Sequence, residues 1–243
     1  MKPTVWYLLG MDGLFAIVSI AAPSSGVIPG QLYLYAVEPI FAAIIAGVTY
    51  IIVRGQRDRV RHASDKAIIV GSVVAGWFVA YFATGIVLTY QHNAVAASWR
   101  AIGMNVVAFG VIAASLEYVR HAIMMLGGRR NVVWLGAIVS VVFAIAQIGA
   151  MPVSQLNTVV NVIKLIVANI MPTVAASFLL TYLAFTAGLP AQMTYRLGVL
   201  AATLLPPIIP KHDWYLTGII SLLLAIIVYI TIDQTRDGVQ ERS

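Results

Sequence analysis

Trp214-Tyr-Leu-Thr-Gly-Ile-Ile-Ser-Leu-Leu-Leu-Ala-Ile-Ile-Val-Tyr-Ile-Thr-Ile232 runs for nineteen residues without a charged side chain. A hydrocarbon core about 30 Å thick takes around 20 helical residues to cross, so the run has the length of a transmembrane helix. Working back along the chain, similar runs fall at about 5–23, 31–53, 67–90, 101–126, 131–150, 169–187 and 194–210. Together they predict an all-α, polytopic integral membrane helix bundle with seven or eight crossings, forming one membrane domain over residues 1–243. A β-barrel would show alternating segments of about ten residues, and these runs are continuous and twice as long. The sequence shows no internal repeat and no linker long enough to separate domains.

Composition agrees. Of the 243 residues 60% are hydrophobic and 10% charged, and mean hydropathy is +0.91. Soluble domains carry roughly 25% charged residues to cover a water-facing surface, so the medium around most of this chain is lipid. The net charge of +6 reads as the Lys/Arg bias of cytoplasmic loops rather than as a nucleic-acid footprint. Cysteine is absent, which excludes disulfides, thiol catalysis and Cys-ligated metals. The first run follows a single Lys2 without a small-residue cleavage pattern, and it reads as a retained anchor.

Orientation follows from the cations. One set of loops and the tail hold Arg54, Arg57, Arg59, Arg61, Lys66, Arg129, Arg130, Arg236 and Arg242, against Arg100, Lys164 and Lys211 on the other side. Nine against three predicts both termini in the cytoplasm of a prokaryotic cell, a plasma-membrane location and an outward-facing Lys211-His212-Asp213-Trp214 turn. Between Leu156 and Asn169 the residues Asn157, Asn161, Lys164 and Asn169 form one polar stripe before Pro172. This predicts an interfacial amphipathic helix over about 156–169, then a bend into the sixth crossing. The alternative is one long tilted helix with its polar residues facing the bundle.

Ionisable groups inside a bilayer cost several kcal/mol on most scales and usually face the protein interior. Asp12, Glu38, Glu117, Arg120, Lys164 and Arg196 are of this kind. Glu117 and Arg120 are three apart on one helix and can pair as structural glue, with His121 beside them at the interface. Glu38 precedes Pro39, where a kink frees backbone groups. Arg196 follows Tyr195 in a segment whose Pro206, Pro207 and Pro210 require an extended, sharply turned end. That end delivers His212, Asp213 and Trp214, with Asp213 suited to cap the last helix and Trp214 to sit among headgroups. No HExxH pair, no GxxxxGK[ST] loop and no haem-type histidine pair occurs, so no metal or cofactor is predicted.

Ser177-Phe-Leu-Leu-Thr-Tyr182-Leu183, then Gly188, Pro190, Tyr195-Arg196-Leu197, Leu204-Leu205-Pro206, Ile209-Pro210, Asp213-Trp214 and Thr217-Gly218 form a specific series. It resembles the last part of the multispanning membrane region that precedes the catalytic domain in some bacterial type I signal-peptidase-like proteins. Leu116-Glu117-Tyr118-Val119-Arg120 is similar to an earlier Glu-Tyr-x-x-Arg element of that region. The similarity is specific over about 177–220 and thinner over 105–126. In those proteins a Ser/Lys catalytic domain opening with Ser-Met-x-Pro follows, whereas no serine here is followed by Met.

The resemblance implies a non-catalytic scaffold or accessory module that holds a partner protease, or an apolar segment, at the outer face. It also implies that Glu117, Arg120, Tyr182, Tyr195 and Arg196 converge in the bundle. The alternatives are a structural subunit of a larger membrane complex, a small-solute transporter or channel with breaks at Pro39 and Pro172, and an intramembrane protease with Glu117 as general base. The partners implied are the bilayer and other membrane proteins, a Ser/Lys peptidase or complex subunits, and no nucleic acid.

Overall fold

The computed structural model describes residues 3–24, 28–56, 60, 62–127, 132–148 and 158–240. Arg57, Arg59, Arg61, Arg129, Arg130 and Arg242, on which the orientation argument draws, lie outside these residues, as does Asn157.

The apolar runs become helices α1 (Pro3–Ser24), α2 (Gly30–Val53), α3 (Ala63–Leu88), α4 (Trp99–Gly127), α5 (Val132–Ile148), α6 (Val159–Thr186), α7 (Gly188–Leu204) and α8 (Trp214–Gln240). The chain is therefore an all-α, multi-pass bundle. Six of these helices (α1, α2, α3, α4, α6 and α8) are long and apolar enough to cross a bilayer. The other two, α5 and α7, have 17 residues each, about 25 Å at 1.5 Å per residue.

Two expectations fail here. No interfacial helix ends before the sixth apolar run. The helix that begins at Val159 continues to Thr186 as one 28-residue unit, so Asn161, Lys164 and Asn169 belong to its first turns. α7 starts at Gly188 rather than near residue 194, because Gly188 takes φ +84° and turns the chain within Ala187–Gly188. Glycine has no Cβ to oppose that backbone conformation. At the other end α7 stops at Leu204, and its proline-rich exit becomes the short strand β2 (Ile208–Pro210).

Both α2 and α6 carry a π turn, at Tyr33–Val37 and Ile166–Ile170, each one residue ahead of a proline pair position: Glu38-Pro39 and Met171-Pro172. A proline ring crowds the carbonyl four residues back and offers no N–H. The chain responds by widening, with the N–H of Glu38 bonded to Tyr33 O and that of Met171 to Ile166 O. The order of elements thus repeats without a sequence repeat: helix, π-interrupted helix, helix running into a strand, helix. The strand after α3, β1 (Tyr90–His92), pairs antiparallel with β2, the strand after α7, with Gln91 opposite Ile209.

Two apolar cores result. One is built mainly from α1, α2, α4 and α5 around Leu8, Phe15, Ile45, Ile123 and Phe143. The other is built from α3, α6, α7 and α8 around Val74, Leu180, Leu183, Tyr195 and Leu224. Glycines let backbones approach in the second core, as small residues do in membrane bundles. A Cβ on Gly198 would sit 2.8 Å from Val74, and one on Gly218 would strike the carbonyl of Val167 in the second π turn. Ile17, Ile51, Ile86, Trp99 and Trp134 point outward, as a lipid-facing surface requires.

Candidate functional site

α4 lies between the two cores and packs on α1, α2, α5, α6 and α7. Its Glu117 and Arg120 are both completely buried. Glu117 is ten residues, about 15 Å, from the end of the 29-residue α4, so the pair lies well inside the helix. Charge at that depth persists only with partners, and the surrounding helices supply them.

Arg120 Nε lies 3.3 Å from Glu117 Oε2 on the same face of the helix. Arg120 Nη1 donates to the main-chain oxygen of Ser177 at 3.0 Å on α6, and its guanidinium rests 4.4 Å from the centre of the Phe143 ring on α5. From α7, Gln192 Nε2 donates to Glu117 Oε2 at 2.6 Å and to Glu117 O at 3.2 Å. Arg196, one turn further along, places Nε 3.9 Å from Glu117 Oε1. Asp12 on α1, fully buried, lies in the field of Arg120 and Glu117 without a hydrogen bond to either carboxylate oxygen among the described residues. Two acids and two bases make the group formally neutral.

A ladder of hydroxyls extends it. Ser177 Oγ donates to Ser140 O at 2.7 Å, Ser140 Oγ lies 2.9 Å from Thr181 Oγ1, and Thr181 Oγ1 donates back to Ser177 O at 2.9 Å. α4, α5, α6 and α7 are thereby cross-linked through polar atoms at one level.

Above this group, toward the β1–β2 end, a cavity of about 390 Å³ opens between α1, α2, α4, α5 and α7. Phe15, Leu34, Phe109, Ile112 and Leu116 form its apolar walls, while Ser19, Glu38, Gln147 and Arg196 bring polar atoms to it. Ser19 Oγ donates to Glu38 Oε1 at 3.3 Å.

A second polar region joins the strand-bearing loops. Asn93 Nδ2 donates to Thr203 O at 2.8 Å and to Pro206 O at 2.9 Å, and its main-chain N–H donates to Pro207 O. The triple-proline exit of α7 has no N–H groups at these prolines, and one buried asparagine serves the carbonyls left there. Asn105 ties the same loop to α2, donating to Val95 O and accepting from Tyr35 OH at 2.8 Å. His212 Nε2 lies 2.6 Å from Thr84 Oγ1, which itself donates to Tyr81 O. The ring also meets Tyr81 edge-on, and burial pushes its pKa below the ordinary histidine value.

Of the five residues expected to converge, Glu117, Arg120 and Arg196 come together. Tyr195 is buried in the second core within the field of Arg196 and Glu117. Tyr182 does not join them. It faces α8, bonding Asp233 Oδ1 at 2.8 Å and packing on Tyr229, because it is one position past Thr181 and so turns away from the ladder. Asp12 joins the group and Glu38 lines the cavity. Lys164 lies in the second turn of α6, and His121 is buried on α4. Asp213 accepts from Thr217 N–H through its main-chain oxygen rather than its carboxylate, and Trp214 packs on Tyr215.

Sequence reasoning missed Gln192, Ser140, Asn93 and Asn105. Gln192 stands four residues before Arg196 and Ser177 four before Thr181, and that spacing of polar residues within apolar helices was the available signal. Among the described residues no three His, Asp or Glu side chains group as metal ligands. No protein-family model, no curated protein and no solved structure matches this chain.

Proposed function

We propose that the chain is a non-catalytic membrane scaffold, a module that holds a partner protein or an apolar segment at the face bearing β1 and β2. The observation that carries this reading is the way the buried charges use their chemistry on one another. Glu117 is flanked by Arg120, Gln192 and Arg196, and its carboxylate is 1% exposed. A general base needs a proton to take and water to take it from, and this carboxylate is packed as a cross-link between helices. The Glu-Tyr-x-x-Arg and Tyr-Arg elements supply the same cluster, which accords with an accessory role beside a signal-peptidase-like enzyme.

The reading includes eight crossings. α7 runs from the turn at Gly188 to β2, which pairs with β1, so the ends of α3 and α7 share one side. An even number of crossings must then separate the strands. With α4 and α6 crossing, that parity supports α5 and α7 crossing as a pair. The Lys/Arg asymmetry supports both termini in the cytoplasm and a prokaryotic plasma membrane.

The test is purification of the tagged protein from native membranes in gentle detergent, with mass spectrometry of what co-purifies. Stoichiometric recovery of a Ser/Lys peptidase supports the accessory role. Recovery of other complex subunits makes the chain a structural subunit, and a lone protein overturns the scaffold reading.

A further inference from the structure

The cavity between α1, α2, α4, α5 and α7 has a feature that scaffolding does not use. One acid, Glu38, and one base, Arg196, line the same space, and no ion pair joins them among the described residues. Each has a weak protein partner. Among the described residues Glu38 Oε1 meets only the Ser19 hydroxyl, at 3.3 Å, which leaves the second carboxylate oxygen for another donor. Arg196 reaches Glu117 only at 3.9 Å, at Oε1, while Arg120 and Gln192 share Oε2. Its side chain is 28% exposed where that of Glu117 is 1%, and the cavity is the space it lines.

Opposite charges held apart around an apolar space are costly in lipid, and a ligand carrying both complementary charges lowers that cost. We infer that this cavity binds a zwitterion with an apolar body, its ammonium at Glu38 and its oxyanion at Arg196. The volume, about 390 Å³, lies in the lower part of the range of about 300–1,000 Å³ for small-molecule sites. Phe15, Leu34, Phe109, Ile112 and Leu116 receive the apolar part, and Gln147, whose buried Nε2 has no partner among the described residues, offers a further donor. The first π turn sets the wall: by widening ahead of Pro39 it places Tyr33, Leu34 and Glu38 on one lining. The same chemistry occurs in two sources, an ethanolamine phospholipid headgroup and a free apolar amino acid.

The experiment uses the full chain, purified in detergent and stripped of lipid. Binding of dihexanoyl phosphatidylethanolamine, of leucine and of dihexanoyl phosphatidylglycerol is measured by native mass spectrometry and by the shift in Tm. One of the first two probes is expected to bind, which identifies the source. The glycerol lipid, which lacks the ammonium, is expected to bind at least tenfold more weakly. Glu38→Gln and Arg196→Gln should each weaken the favoured probe at least tenfold, and Arg196→Lys should restore part of the loss. Among the described residues no hydrogen bond or ion pair joins Glu38 to the buried charge cluster, so E38Q carries the test even where R196Q does not fold. Binding of neither zwitterion, equal binding of the glycerol lipid, or full affinity in E38Q overturns the inference. Partner recovery from membranes is a separate readout, so this site and the scaffold reading fail independently.

Discussion

The charge cluster around Glu117 and the asparagine-centred loops around β1 and β2 perform the same task with different materials. Both join helices distant in sequence by satisfying groups that lipid cannot. Inside the bundle the groups are formal charges on three helices, all fully buried but Arg196; at the β1–β2 end they are amides and carbonyls. Depth explains the difference. Close to water an unsatisfied carbonyl can find a solvent partner, so its loss is limited to about 1–3 kcal/mol. At mid-membrane an orphaned charge has none, and breaking a buried pair costs about 3–5 kcal/mol.

The sharpest way to break this comparison is Arg120→Ala. It leaves Glu117 with Gln192 and the distant Arg196, and it empties the space over Phe143. A loss of about 3–5 kcal/mol is expected, read as a collapse of folded yield and Tm in detergent. The double variant E117L/R120L, apolar and of similar volume, should recover much of that loss. If R120A unfolds no more readily than Asn93→Ala, depth does not set the cost.

Next in size is Gly218→Ala. The added methyl meets the carbonyl of Val167 in the second π turn, backbone against backbone, and overpacking of this kind costs about 1–3 kcal/mol. Thermal unfolding of G218A beside G76A, where a methyl meets open space, isolates the effect.

Asn93→Ala removes two donations to Thr203 O and Pro206 O. The expected loss is about 1–2 kcal/mol, with amide exchange rising first across residues 89–93 and 208–211 and not in α4.

The smallest effect is His212, whose folded-state pKa lies below its unfolded value. The folded state therefore binds fewer protons, and the contribution of His212 is present above the unfolded histidine pKa and lost as pH falls below it. Tm should drop between pH 7.5 and 5 by more in the natural protein than in H212N. An equal drop in both means that the Thr84 contact has no energetic role.

How much of this was legible in the sequence depended on whether the signal was local. Apolar runs gave every helix, since length against bilayer thickness is a one-dimensional measure. Glu117 and Arg120 stood out because charges in lipid are rare and these two share a helix face. The prolines at 206, 207 and 210 announced an extended exit. Gln192 and Asn93 were opaque, because a neutral amide in a polytopic protein has no cost until its surroundings are known. Tyr182 was grouped wrongly for a related reason: its neighbours in the motif face the cluster, but a step of one residue turns a side chain about 100° around the helix. The interfacial helix failed because a polar stripe does not mark where a helix ends: Asn161, Lys164 and Asn169 lie on the same continuous helix as the apolar run that follows.

The distance in sequence between Arg120 and its partners has a consequence for how the chain is made. The acceptor on Ser177 lies 57 residues further on, the Gln192 amide lies 75 residues beyond Glu117, and the carbonyl of Thr203 lies 110 beyond Asn93. At about 5–20 residues per second, α4 emerges with its own ion pair and the earlier Asp12, and waits seconds for α6, and longer for α7. During that interval the charged face of α4 is incomplete, and its full set of partners forms only when the seventh helix arrives.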